Sequence, residues 1–151
     1  MTPWAFAAAA LAATGVVAVC VRVRRSRLRV TVAGESMAPA LMPGQVVIAH
    51  RVVSSGGLRA GDVVVLVKPE CPGNWRWPPA DGPLGQGSWL LKRLAALPGD
   101  PVPPAVATAL GVSGPVPDGV AVVLGDNTAA SVDSRDFGFV PVDRVIARVL
   151  R

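Results

Sequence analysis

Apolar residues follow two rhythms along this chain, an unbroken run near the start and a two-residue alternation over most of the rest. Residues 4–21 are eighteen positions without a charge. At 1.5 Å per residue, a helix of that length reaches about 27 Å, close to the hydrocarbon thickness of a bilayer. Further on, Leu28, Val30 and Val32 alternate with Arg27, Arg29 and Thr31, which predicts a half-buried strand ending at Gly34. More strands are expected over 45–53, 62–68, 88–96, 120–124 and 139–150. Turn residues separate them at 43–44, 54–57, 98–100 and 125–127. Two stretches rich in Pro and Gly, 69–87 and 101–119, read as loop or small-lobe insertions. Many short strands without βα alternation predict a mainly β fold, antiparallel sheets or a partly closed barrel, preceded by one N-terminal transmembrane helix. The expected organisation is an anchor over 1–22 and a β domain over 23–151.

Composition sharpens this picture in three ways. The 151 residues suffice for one modest domain. The net charge of +5 is local: Arg22, Arg24, Arg25, Arg27 and Arg29 stand beside the apolar run, and from residue 31 onward ten basic side chains balance ten acidic ones. A nucleic-acid partner is therefore not expected, since it needs a basic face on the folded domain. A cleaved signal peptide also fits poorly, because the arginines follow the apolar run and none precedes it. Those same arginines favour a cytoplasmic location for the side they flank. Cys20 lies in the apolar run and Cys71 in a loop, so no intrachain disulfide is expected. With a single histidine, His50, read as structural, and no Cys/His cluster, a zinc site is not expected.

The shortage of histidine narrows the candidate chemistry. A serine hydrolase built from this sequence would more readily take lysine than His50 as its base. The chain has two lysines against thirteen arginines, and arginine does not release its proton in proteins. Lys68 ends a strand before Pro69 and reads as solvated. Lys92 shares a strand face with Leu90 and Leu94, where desolvation lowers the pKa of an amine toward the range a general base needs. A stem that snorkels to solvent is the plainer alternative for this lysine. The serine candidate is Ser36, in a turn after the first strand, where a hydroxyl and nearby backbone N–H groups are exposed together. On its own such a serine is as readily a turn cap.

In combination these segments carry a resemblance. Gly34-Glu35-Ser36-Met37-Ala38-Pro39-Ala40-Leu41 resembles the nucleophile segment of the type I signal peptidases. Gly61-Asp62-Val63-Val64-Val65 is similar to the next shared strand. Leu91-Lys92-Arg93-Leu94 with Leu97-Pro98-Gly99-Asp100 resembles the segment holding that family's catalytic lysine. Gly125-Asp126-Asn127, Ser131, Asp133-Ser134-Arg135 and Gly138 resemble its last conserved segment. The four stand in the family's order across 32–140.

The resemblance implies a membrane-bound serine endopeptidase that cleaves signal or leader peptides from precursor proteins through a Ser36–Lys92 dyad, without metal or organic cofactor. It further implies that Ser131 orients the Lys92 amine, that Asp126 and Arg135 pair to hold the last segment with Asp133 in support, and that Met37 shapes the substrate cleft. Gly34 stands where some members carry a hydroxyl for the oxyanion, so the Ser36 N–H would take most of that task. The implied partners are a precursor or leader peptide and membrane lipid, with the catalytic domain outside the cytoplasm. A maturation protease dedicated to one precursor, and a catalytically silent membrane-tethered peptide-binding module, are the alternatives. The loop bearing Trp75 and Trp77 suits either the membrane interface or a cover over the core edge.

Overall fold

The computed structural model describes residues 27–52, 57–73, 75 and 89–150. The expected anchor, Cys20, Trp77, and the turn at 54–56 lie outside these residues. Among the described residues, no helix is long and apolar enough to cross a membrane.

Seven antiparallel strands form one sheet: β1 (Arg27–Thr31), β2 (Val46–Arg51), β3 (Val63–Val67), β4 (Trp89–Ala96), β5 (Val120–Leu124), β6 (Val140–Pro141) and β7 (Val145–Val149). Their order is β1-β2-β7-β3-β4-β5-β6. β1 and β6 are the two ends and do not pair with each other, so the sheet is open and does not close as a barrel.

Alternation sets which side chains go to which face. On β3, Val64 and Leu66 enter a cluster with Leu94, Val123, Phe137 and Val140, while Val63 and Val65 join Val30, Met37, Val47 and Leu91 on the other side. β3 lies near the middle of the sheet and is covered on both faces, so an unbroken apolar sequence suits it. Val64, Val65 and Leu66 are fully buried, each stabilising the fold by about 2 kcal/mol relative to exposure.

Two elements differ from the strand pattern. Residues 139–150 form two strands, not one. Pro141 has no N–H to continue a ladder, and a 3₁₀ turn over Val142–Arg144 redirects the chain from β6 at the sheet's end to β7 between β2 and β3. Within 101–119 the chain makes a helix, α1 (Pro104–Leu110), ended by Gly111 in the left-handed conformation at φ 65°. Val106 and Val116 of this lobe pack on Ala96 and Val122 as a third cluster. A second helix, α2 (Ser134–Phe137), is a single turn capped by Asp133.

Candidate active site

Lys92 stands on β4 opposite Val64 of β3. Its strand face is apolar, and the side chain is only 2% exposed. Burial is the main force on the amine and lowers its pKa below the ordinary 10.5; the nearby Asp133 carboxylate opposes this, Arg135 adds to it, and Asp136 opposes it. The Lys92 Nζ donates to Ser131 Oγ at 2.8 Å. Ser131 in turn donates to Asp133 Oδ2 at 2.7 Å. Because a hydroxyl has one proton, giving it to Asp133 leaves the Ser131 oxygen as acceptor for the amine.

Asp133 is the anchor of this chain of bonds. Fully buried, it accepts from Gly125 N–H at 2.9 Å and from Arg135 through Nε at 2.9 Å and Nη2 at 2.8 Å. Burial raises its pKa, but the Arg135 guanidinium, the Gly125 N–H and the Ser131 hydroxyl outweigh that and hold it at about 2. It also N-caps α2, and Asp136 closes the reciprocal box by accepting from Asp133 N–H at 2.9 Å.

Ser36 follows β1 in a tight turn, with Ala38 N–H bonded to Glu35 O at 3.0 Å and Leu41 N–H to Met37 O at 2.9 Å. Its carbonyl accepts from Asn127 N–H at 3.0 Å, which ties the serine turn to the loop after β5. Gly125 allows this approach. A Cβ there would lie 2.6 Å from Ser36 O and closer still to Ser131 Oγ. Ser36 and Lys92 line one open cavity of about 440 Å³ together with Leu90, Val132, Asp136 and Phe137. Among the described residues the Lys92 amine has its hydrogen bond with Ser131 and none with Ser36.

The remaining sequence candidates divide. Asp126 and Arg135 do not pair, contrary to the implied arrangement. Arg135 folds back on Asp133, two residues away at the cap of its own helix. Asp126 instead receives a bidentate pair from Arg93, Nε at 2.7 Å and Nη2 at 2.5 Å, since Arg93 lies in register with Leu124 just before the Asp126 turn. The Arg93 Nη1 also donates to Gly61 O at 2.9 Å, so one guanidinium joins β4, the turn before β3 and the loop after β5. Gly34 is exposed beside the serine turn, and Met37 is 1% exposed in the core with Val30 and Val47; neither lines the cavity. His50 lies on β2 in register with Arg27 and Arg148, away from the cavity. Trp75 meets Phe137 edge to face at 5.5 Å and covers the core edge. Cys71 is a free, exposed thiol, and no described cluster of three or more His, Cys, Asp or Glu side chains is arranged to hold a metal.

The roles of three residues of this site escaped the sequence reading. Arg93 alternates away from Lys92 and looks like an outward strand residue, and Gly125 looks like ordinary turn chemistry. Asp136 did carry a signal, because Asp133 followed three residues later by a second acidic residue is a capping pattern.

The molecule is thus an open antiparallel β domain with a buried amine and a serine on the wall of one cleft. The family described as signal peptidase, peptidase S26, matches residues 3–108 and 104–151. The chain belongs to this family, which makes it a peptidase of a group that acts on precursor proteins and is generally associated with membranes. No curated protein matches the chain.

Proposed function

We propose that this protein is a membrane-anchored serine endopeptidase that removes signal or leader peptides from precursors, with Ser36 as nucleophile and Lys92 as general base. The observation that carries this reading is the buried Lys92 amine, held by Ser131 and opening on the same cavity as Ser36. Family membership supports the peptidase reaction; the geometry supports these two residues as its agents.

A neutral amine with one N–H committed to Ser131 has its lone pair available to accept the Ser36 proton. The Ser36 oxygen then attacks the scissile carbonyl, the C–N bond breaks, and the lysine ammonium gives its proton to the leaving amine. The acyl ester is cleared by water, which Lys92 deprotonates in the reverse sense. The missing Ser36–Lys92 hydrogen bond is compatible with this sequence, since such bonds tighten when substrate fills the cleft. Asp133 keeps Ser131 turned toward the amine, and Arg135 neutralises Asp133. No step calls on a metal.

The test is cleavage of a precursor by the full chain in lipid vesicles. Ser36→Ala and Lys92→Ala are each expected to remove cleavage while leaving the circular dichroism spectrum unchanged. An inhibitor that acylates serine should label the wild type and fail on Ser36→Ala. Undiminished cleavage by Lys92→Ala would end the dyad assignment.

A further inference from the structure

Among the described residues, the charges lining the cavity that holds Ser36 and Lys92 do not balance when the lysine is neutral. The other ionisable lining groups are Lys68, Glu70, Cys71 and Asp136. In the reactive state Lys92 is uncharged, so among these groups the formal charges of Lys68 and Glu70 offset one another and the Asp136 carboxylate is left in excess. The two carboxylates of the α2 turn divide their roles. Asp133 is buried and saturated by Gly125, Ser131 and Arg135. Asp136 accepts one hydrogen bond, from Asp133 N–H through Oδ2. It is exposed, and no described lysine or arginine forms an ion pair with it. The capping box fixes the direction of its carboxylate, so it is oriented before any ligand arrives.

The walls beside it suit the stem of a long side chain. Leu90, Val132, Phe137, Pro69 and Pro72 present apolar surface in the same cavity, and Val132 is 65% exposed. A volume of about 440 Å³ is far more than a methyl group fills. An aliphatic stem ending in a cation would lie along this surface and reach a fixed acceptor.

We propose that Asp136 is a specificity-determining residue that selects peptides carrying lysine or arginine beside the scissile bond. This rests on the reading of Ser36 as the nucleophile, because the same cavity must then hold the residues that flank the cut. The cation gains an oriented carboxylate, and its stem buries apolar area against Leu90 and Phe137. Because Asp136 stays partly in water, the preference is modest and falls as salt rises.

The experiment uses the full chain in detergent and internally quenched peptides that carry lysine, glutamine or glutamate in turn at each position around one cleavage site. At one position, lysine is expected to exceed glutamine by about fivefold in kcat/KM, the upper end for a pair partly exposed to water. Asp136→Asn keeps an oxygen for the Asp133 N–H and so keeps the cap, yet it should reduce the ratio to about one. Asp136→Lys should favour glutamate at that position. Any effect of Asp136 on Lys92 itself acts on all peptides alike and cancels in the ratio, which separates recognition from a structural role. An unchanged ratio in Asp136→Asn, with cleavage still lost in Ser36→Ala, overturns this proposal alone. If the wild type shows no Ser36-dependent cleavage of any peptide, both this proposal and the proposed function fall.

Discussion

At the scale of single residues, the site turns on how two charges are treated by burial. Lys92 is pushed toward its neutral form by desolvation, against the pull of Asp133. Cleavage should therefore rise with pH along a limb set by Lys92 below the ordinary lysine value of 10.5, and kcat against pH would report it. The same shift has a stability sign. The unfolded chain holds the lysine proton up to higher pH than the folded one, so folded stability rises across the window between the lowered pKa and 10.5. Lys92→Met lacks this linkage; its Tm relative to wild type is expected to be highest at neutral pH and to lose ground as pH rises. Asp133 behaves oppositely. Held at about 2, it contributes stability that is complete above its ordinary 3.8 and lost as pH falls from there toward 2. Asp133→Ala strands Arg135, Ser131 and the Gly125 N–H, and should cost about 3 kcal/mol in urea denaturation at neutral pH. A loss below 1 kcal/mol would show that the carboxylate is not the anchor of the site. Lys92 was legible in the sequence because its strand neighbours Leu90 and Leu94 are apolar. The partner of Arg135 was not, because a guanidinium reaches either of two aspartates and only the α2 cap decides between them.

At the scale of elements, the strands were readable where apolar and polar residues alternate, as in β1, which buries one face, and where a short run between turns is apolar throughout, as in β3 and β5. Reading failed where a short element interrupts a longer apolar run. A 3₁₀ turn over Val142–Arg144 divides β6 from β7, and the seven residues of α1 are too few to show a helical period between prolines. What makes separate elements into a site is the loop after β5. Arg93 of β4 grips Asp126, Asn127 N–H holds the Ser36 carbonyl, and Gly125 N–H holds Asp133. Gly125 is the tightest of these points, since an added methyl meets the Ser36 carbonyl and the Ser131 side chain. Backbone cannot yield there as a flexible side chain would. Gly125→Ala is expected to cost about 3 kcal/mol, the upper end for overpacking, and to abolish cleavage. Arg93→Ala should loosen the same loop from the other side, lowering kcat severalfold with little change in KM. If Gly125→Ala retained wild-type kcat and Tm, the loop would not set the serine's position.

At the scale of the whole molecule, the question is where the domain stands relative to a membrane. The uncharged residues 4–21 and the family's general association with membranes both point to an anchor. Removing residues 1–22 should leave cleavage of short peptides intact and reduce cleavage of a vesicle-bound precursor by about 10²-fold, as expected when two partners no longer share one surface. The arginines bear on which side of the membrane the domain takes. Five of them near the apolar run would favour the cytoplasm if all were a flank. The fold reduces that number, because Arg27 and Arg29 belong to β1 and lie in register with His50 and Ile48 of β2. Charges inside a folded domain weigh little in orientation, since domains translocate largely regardless of charge. Only Arg22, Arg24 and Arg25 then remain between the apolar run and the sheet. A peptidase acting on exported precursors is expected to override so short a flank and hold its catalytic domain outside the cytoplasm. A tag placed after Arg151 should accordingly be digested by protease added to intact cells. Protection of the tag until the cells are opened would put the cleft inside, and would turn the assignment toward maturation of a cytoplasmic precursor by the same serine and lysine.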